Sequence, residues 1–371
     1  MIPVFSNTLG GEELAEVQRV MESRWLGMGR ECELFEKELA AHFRVRRLLL
    51  TNCATAGLYL ALRCLDLKPG QEVIMPTIHF VACANAVLEA GATPVFADVD
   101  PRTLNVTGKE IARKRTGRTA GVILNHYGGH PANMADVQAA TWRLWILEDA
   151  ANAPASAYRG RAAGTLGDAG VWSFDAMKIL SMADGGALWF RDDGRHERAW
   201  RLRNCGLDSL SGTDKAEREG ARWWEFSVPE PYGRADSNDL LACIGRVQLR
   251  KLHRMVLRRR QVWDAYQREL EGVGDLQLPP EPMKNCAGSY YLFWVQTAYR
   301  DKLARFLYDQ GIYTTFRYYP LHRAFGRTGV RLPYAEQVAE VTLNIPIHQN
   351  LTDGDVGFIV DKVKEFYKWA M

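Results

Sequence analysis

Short apolar runs alternate with helical stretches along the first half of the 371-residue chain. The runs lie at residues 48–50, 72–75, 94–97, 121–124, 144–147, 170–174 and 187–190, and the stretch 54–65 between the first two fits a crossover helix. Near-continuous apolar runs are typical of strands buried on both faces, and parallel strands need helical crossovers between them. The pattern therefore predicts an α/β fold whose mostly parallel seven-stranded sheet is flanked by helices.

The chain after about residue 240 carries a different pattern. Apolar residues recur every three to five positions over 240–270, which predicts one long helix. A Pro-rich turn at 278–282 leads into a strand-like run at 290–295, and a final helix is expected at 353–369. We therefore predict two domains, a large α/β domain over residues 1–245 and a smaller C-terminal α+β domain over residues 246–371. Within the large domain, the Arg- and Glu-rich stretch 209–231 is expected to lie at the surface and to cover the substrate.

Charge and composition limit the classes of partner. Lys plus Arg number 47 and Asp plus Glu number 44, whereas a dedicated nucleic-acid-binding protein carries a concentrated basic excess. We find no apolar run of about 18 residues that would cross a membrane and no pattern of a signal peptide. The seven cysteines form no CxxC pair, and the histidines lack metal-ligand spacing. We expect a cytoplasmic protein that binds no metal, nucleic acid or membrane.

Three side chains between residues 147 and 186 point to one cofactor. Asp149 follows a predicted strand, at the carboxyl end where open α/β sheets bind ligands. Lys178 lies among apolar and small residues, where burial is expected to lower the pKa of its amine and favour a Schiff base, and Ser173 offers a hydroxyl nearby. Pyridoxal phosphate (PLP) needs such a set: a carboxylate for its ring nitrogen, a donor for its phosphate and a lysine for its aldehyde. Each residue alone has an ordinary structural explanation.

The spacing of these residues, with further motifs, resembles the DegT/DnrJ/EryC1/StrS family of PLP-dependent sugar aminotransferases. The resemblance covers nearly the whole chain and includes segments 52–58, 76–82, 126–129, 248–249, 320–322 and 344–347. It implies the type I fold of PLP-dependent transferases and transfer of an amino group to a nucleotide-linked keto-deoxysugar. It also implies L-glutamate as the amino donor and a homodimer in which the two chains share their active sites.

The resemblance further implies roles for individual residues. Lys178 would form the Schiff base and then move protons, Asp149 would keep the pyridine nitrogen protonated, and Phe80 would stack on the ring. The implied phosphate contacts are Ala54, Thr55 and Ser173, and the implied neighbour of the ring hydroxyl is Asn152. We expect substrate contacts from His79, Asp175, Tyr318 and His322, and the alternative for each histidine is a purely structural role.

Some positions depart from the family's pattern. Asn152 stands where relatives have a longer Gln, and Ala54 adds a Cβ where the family has Gly. Asp175 stands where relatives often have His or Tyr, and we expect it to raise the pKa of Lys178 or to contact substrate. In relatives, an Asn in the segment that corresponds to residues 232–239 reaches the phosphate of the neighbouring subunit's cofactor. Here the matching segment offers either Arg234 or Asn238 for that role.

Two alternatives use the same scaffold. A cyclitol aminotransferase would act on an inosose in aminoglycoside synthesis, and a non-catalytic PLP-binding regulator would bind the cofactor without turnover. The presence of both Lys178 and Asp149 favours an enzyme, since a regulator does not need the electron sink. The nucleotide, the ring position and the stereochemistry of amination are not determined by the sequence.

Overall fold

The computed structural model describes residues 1–208, 216, 222–327 and 329–370, so most of the stretch expected to cover the substrate lies outside the described residues. The first helices and the central sheet come from the first two hundred residues. In chain order these elements are α1 (Gly11–Glu22), α2 (Arg30–Phe43), β1 (Leu49–Thr51), α3 (Ala54–Cys64), β2 (Glu72–Pro76), α4 (Val81–Glu89), β3 (Thr93–Ala97), α5 (Gly108–Lys114), β4 (Thr119–Asn125), a 3-10 turn (Tyr127–Gly129), α6 (Met134–Ala140), β5 (Trp145–Asp149), β6 (Ala157–Tyr158), β7 (Arg161–Ala162), β8 (Ala169–Ser173), β9 (Gly186–Phe190) and α7 (Asp193–Leu202).

The central sheet has the strand order β1–β9–β8–β5–β4–β2–β3. The five strands from β8 to β3 are parallel neighbours, and β9 runs antiparallel between β8 and β1. Each predicted apolar run forms one of these strands, and β2, β8 and β9 are buried along their whole length. The prediction of an α/β fold with a mostly parallel seven-stranded sheet is therefore confirmed.

A second group of elements follows the sheet. It comprises α8 (Asp239–Leu270), β10 (Cys286–Ala287), β11 (Phe293–Gln296), α9 (Arg300–Asp309), α10 (Leu321–Ala324), α11 (Pro333–Val341), β12 (Thr342–Ile345) and α12 (Asp353–Ala370). β11 and β12 form an antiparallel pair, and β10 joins β6 and β7 in a small sheet. Within the described ranges, no helix is both long and apolar enough to cross a membrane.

The long helix α8 links the two halves of the molecule. It packs against α1 and α2 from the first half and against α12 from the second. The predicted boundary between residues 245 and 246 falls inside α8, which is helical without interruption there. The division into two domains remains a prediction, and α8 is the element that would belong to both.

A buried carboxylate ties the end of β5 to the loop before β8. The Glu148 carboxylate accepts backbone N–H groups from Gly164 (2.8 Å), Leu166 (2.6 Å) and Gly167 (2.5 Å), and it contacts Nε2 of His126 at 2.9 Å. Because both side chains are fully buried, water does not replace these hydrogen bonds when one partner is removed.

We expect Glu148→Ala to lower the free energy of unfolding by about 3 kcal/mol or more, because it leaves three buried N–H groups without a hydrogen-bond acceptor. Chemical denaturation measures this loss. Glu340→Ala, which breaks an exposed ion pair with Arg323, is the matched control and should change stability by less than about 1 kcal/mol. Equal unfolding midpoints for the two variants would contradict the role of Glu148.

Candidate active site

A cavity of about 330 Å³ lies at the carboxyl ends of the parallel strands. Asp149 ends β5, Ser173 ends β8 and the N-terminus of α3 faces the same space. The lining includes the predicted residues Ala54, Thr55, His79, Phe80, Asp149, Asn152, Ser173, Asp175, Lys178 and Tyr318. A larger cleft of about 900 Å³, between the end of α2 and the β6–β7 hairpin, contains none of the predicted site residues.

Lys178 reaches into this cavity from the turn after β8. Its Nζ donates a hydrogen bond to Oδ1 of Asn152 at 2.9 Å and lies 5.0 Å from the ring centroid of Tyr291. Burial alone would lower the pKa of the amine, but Tyr291, Tyr318 and Asp149 favour the charged form and hold the pKa above its ordinary value. The expected lowered pKa is therefore corrected, because the fold brings these groups to an amine whose sequence neighbours are mostly apolar.

Asp149 is held by three neighbours. Its Oδ1 accepts the backbone N–H of Ala151 at 3.0 Å, and its Oδ2 contacts His79 Nε2 at 3.0 Å and the thiol of Cys83 at 3.4 Å. Burial raises the pKa of the carboxyl, but the hydrogen bond and charge of His79 lead the opposing effects, and the pKa lies below its ordinary value. Burial and the nearby Asp149 raise the pKa of the Cys83 thiol far above its ordinary value, so the thiol acts as a donor. The geometry thus fixes an ionised carboxylate at the floor of the cavity.

His79 and Cys83 approach each other as well as Asp149, with Sγ 3.3 Å from Nε2. These donor types also bind transition metals, and their ligand atoms lie close together. No metal site was expected from the sequence, and Cys83 was not predicted to belong to the site. The only sequence signal was its four-residue spacing from His79, because Asp149 lies far away along the chain.

Loss of the His79 contact should raise the pH below which PLP no longer binds. In His79→Leu, burial is no longer offset by the hydrogen bond, so the pKa of Asp149 rises. The depressed carboxyl pKa of the native protein keeps Asp149 ionised until the pH falls through that value. The variant should therefore lose affinity for PLP at a higher pH than the native protein does. Titration of PLP binding across the acid range measures the shift, and superimposable profiles would contradict it.

The N-terminus of α3 forms the other end of the cavity. The amides of Ala54 and Thr55 lie in the first helical turn, where N–H groups have no acceptor within the helix and the dipole favours an anion. The first residue of β9, Gly186, packs directly against this helix end, since a Cβ at Gly186 would lie 2.6 Å from the Ala54 nitrogen. The Ser173 hydroxyl also lines this cavity. An anion-binding helix end, an amine and an ionised carboxylate in one cavity fit PLP.

Gly186→Ala is expected to displace the start of α3 and to weaken PLP binding at least about tenfold, because one misplaced charged hydrogen bond costs about 1.5–3 kcal/mol. Equilibrium titration of PLP measures the affinity. Gly357→Ala in α12 adds its Cβ to open space and is the matched control. Equal affinities of the two variants would show that the cofactor does not depend on this close approach.

Three residues predicted for the site, His322, Arg234 and Asn238, do not line this cavity. His322 was expected at the substrate, but its Nδ1 bonds to the Thr77 hydroxyl at 2.8 Å and its Nε2 lies 3.5 Å from Glu336, which keeps the buried ring outside the cavity. Arg234 is exposed, 3.7 Å from Asp236, and its role is discussed below.

Asn238 also lies outside this chain's cavity. Its side chain accepts the Leu241 N–H at 2.9 Å and caps α8. Asp175 does line the cavity, and its Oδ1 accepts the Met177 N–H at 3.0 Å, so it orders the turn that carries Lys178. Phe80 and Tyr318 both line the cavity, and their rings pack together with centroids 5.9 Å apart and planes inclined by 54°.

Asp184 and Arg317 line the cavity without having been predicted. Burial and the neighbouring Asp175 raise the pKa of Asp184. Arg317 directly precedes the predicted Tyr318, but no local pattern distinguishes it from a solvent-exposed arginine. Its place in the site depends on a loop that meets β5 and β8 only in the folded chain.

Several known proteins are similar to this chain over nearly its whole length. The dTDP-4-dehydro-2,3,6-trideoxy-D-glucose 4-aminotransferase of Saccharopolyspora spinosa is 41% identical over 372 residues, which cover 98% of this chain and 96% of that protein. GDP-perosamine synthase of Escherichia coli O157:H7 is 28% identical, over 99% of this chain and 98% of its own. The crystal structure of the aminotransferase TlmJ from Streptoalloteichus hindustanus superposes with a TM-score of 0.94 at 44% identity, covering 100% of both chains.

A family model also matches this chain. The match extends over residues 7–364, which is nearly the whole sequence. It confirms the resemblance that the motifs indicated, and the similar solved structure confirms the fold that the resemblance implied. The chain belongs to the DegT/DnrJ/EryC1/StrS aminotransferase family.

Proposed function

We propose that the protein is a PLP-dependent aminotransferase that converts a nucleotide-linked keto-deoxysugar to an amino sugar, with L-glutamate as the amino donor. The observation that carries this proposal is the cavity in which the Lys178 amine, the Asp149 carboxylate and the N-terminus of α3 face the same space. The named relatives support a nucleotide-linked sugar, since one acts on a dTDP-linked ketosugar and another is a GDP-perosamine synthase.

Each group has a defined task in this reaction. PLP, when bound, supplies an electron sink that stabilises negative charge on the carbon next to the transferred nitrogen. Asp149, ionised and buried, would keep a proton on the ring nitrogen, and the amides at the start of α3 would bind the phosphate. Lys178 would supply the amine that attaches PLP. The hydrogen bond to Asn152 positions this amine to take up and return a proton in each half-reaction.

The two alternatives differ from this proposal in specific ways. An inosose carries no nucleotide, and the relatives named for dTDP- and GDP-linked sugars favour the nucleotide-linked substrate. A non-catalytic regulator does not need an amine positioned to move protons. The hydrogen bond from Lys178 to Asn152 positions such an amine in the cavity, which favours an enzyme.

A homodimer belongs to the proposal. Arg234 lies outside its own chain's cavity, with its Nε 3.7 Å from Asp236 and about 70% of its side chain exposed, so the side chain is accessible to a neighbouring chain. Asn238 already caps α8, which favours Arg234 for the contact with the neighbouring cofactor phosphate. Mixing Arg234→Ala with the inactive Lys178→Ala tests whether the sites are shared. If Arg234 acts across chains, the mixed dimer contains one complete site and the mixture should be more active than either variant alone.

Transamination assays test the proposed substrate class. The purified protein, loaded with PLP and given L-glutamate, is offered a dTDP-linked 4-ketosugar, a GDP-linked 4-ketosugar or scyllo-inosose, and the products are identified by mass spectrometry. We expect an amino sugar from a nucleotide-linked substrate. Turnover of scyllo-inosose with neither nucleotide sugar aminated would favour the cyclitol alternative, and no product from any of the three would contradict the proposal.

A further inference from the structure

Arg317 places a positive charge at the cavity without an ionic partner. Its guanidinium lies 4.5 Å from the ring centroid of Phe5, and Nη2 donates to the sulfur of Met177 at 3.2 Å. In the part of the chain that the structure describes, no carboxylate lies within ion-pair distance of it. By contrast, Arg323, six residues further on, contacts Glu340 at 2.8 Å. The Arg317 guanidinium is therefore available to form an ion pair with an anionic ligand.

The backbone of Arg317 is fixed on both sides. Its N–H donates to Oδ1 of Asn344 at 2.8 Å, and its carbonyl accepts the hydroxyl of Tyr127. Asn344 and Tyr127 are both fully buried, so the residue does not depend on solvent for its position. Because the backbone of Arg317 is already fixed, only its side chain loses conformational freedom when an anionic ligand binds.

Phe5 connects Arg317 to the reacting centre. The Phe5 ring stacks on the Tyr291 ring, with centroids 5.3 Å apart and planes inclined by 22°. Arg317 lies over Phe5, and the amine of Lys178 lies over Tyr291, so the aromatic pair separates two cations. Both cationic residues line the same cavity. A ligand that meets Lys178 and carries a nearby anionic group would reach Arg317 as well.

We propose that Arg317 binds a carboxylate of the amino donor and that Phe5 is its positioning residue. The inference rests on the proposed function, because it names the group of the first substrate that the site recognises. The planar guanidinium matches a carboxylate through two parallel hydrogen bonds. An amino acid carries its carboxylate a few bonds from the amine that reacts. The diphosphate of a nucleotide sugar is separated from the keto carbon by the sugar ring, so the donor fits a receptor near Lys178 better.

Separate half-reactions test this assignment. In Arg317→Gln we expect the KM for L-glutamate to rise about 10- to 100-fold, the loss typical of a charge-assisted hydrogen bond, with the KM for the ketosugar changed less than about twofold. Arg317→Lys keeps the charge without the planar fork and should lie in between. Phe5→Leu should raise the same KM about 3- to 10-fold while leaving kcat within about twofold. Arg323→Gln is the matched control and should behave as the native protein.

Calorimetry with glutarate, a dicarboxylate that cannot react, provides a readout independent of turnover. Native protein should bind glutarate, and Arg317→Gln should not. An unchanged KM for L-glutamate, glutarate binding that survives in Arg317→Gln, or a rise confined to the ketosugar would overturn the assignment. Native protein that binds glutarate through Arg317 but aminates no sugar would instead refute the proposed function alone.

Discussion

Lys178→Ala is expected to abolish transamination, with a fall in rate of about 10⁴-fold or more. The variant loses the covalent attachment of the cofactor and the amine that moves protons in both half-reactions, and general acid–base catalysis alone contributes about 10²- to 10⁴-fold. Lys178→Arg keeps the positive charge but forms no Schiff base, so it should be equally inactive. Single-turnover measurements with L-glutamate give the rate.

The same variant offers a second readout. Borohydride reduction followed by mass spectrometry should find PLP bound to the peptide that contains Lys178 in the native protein, and no such peptide in Lys178→Ala. Lys362→Ala removes an amine that pairs with Glu365 on the surface, and it should leave both results unchanged. Activity of Lys178→Ala within about tenfold of the native protein would rule out the assigned role of this lysine.

Asp149→Ala is expected to lower kcat/KM by about 10³-fold, or about 4 kcal/mol. Without a buried anion beneath it, the ring nitrogen loses its proton and the cofactor loses much of its capacity as an electron sink. The PLP affinity should fall as well, because the ion pair with the ring nitrogen is lost. The loss should be similar in Asp149→Asn, which keeps the size of the side chain but not its charge.

Thermal unfolding separates the catalytic effect from a structural one. Asp149→Ala removes the acceptor of His79 and Cys83, so a moderate loss of stability is expected. Asp149→Asn keeps an oxygen acceptor and should unfold near the native temperature while staying inactive. Asp309→Ala, which breaks an exposed pair with Arg305, is the control for both measurements. An active Asp149→Asn would show that the charge of this residue is not needed.

The sheet was predictable because its signal is local. Each strand is a short apolar run, and the position of Asp149 at the end of one such run could be read from the sequence before any contact was known. The spacing from Asp149 to Ser173 and Lys178 also lies within one segment. These residues reach the same cavity because adjacent parallel strands end at the same edge of the sheet.

What the sequence did not reveal depends on contacts between distant segments. Tyr291 and Tyr318 fold back onto Lys178 from the second half of the chain, which is why burial alone did not predict the direction of its pKa shift. His322 belongs to the motif at 320–322 and was predicted at the substrate, but its hydrogen bond to Thr77 holds it outside the cavity. Arg317 could be recognised only once Phe5, from the N-terminal segment, was seen to lie beneath it.

The absorbance of the PLP-loaded protein tests the proposed transaminase most directly. Addition of L-glutamate alone should remove the visible band of the lysine-bound cofactor, and a nucleotide-linked ketosugar added afterwards should restore it as the amino sugar forms. Lys178→Ala should show neither change. A band in the native protein that no amino donor alters would contradict the assignment of this cavity to amino-group transfer.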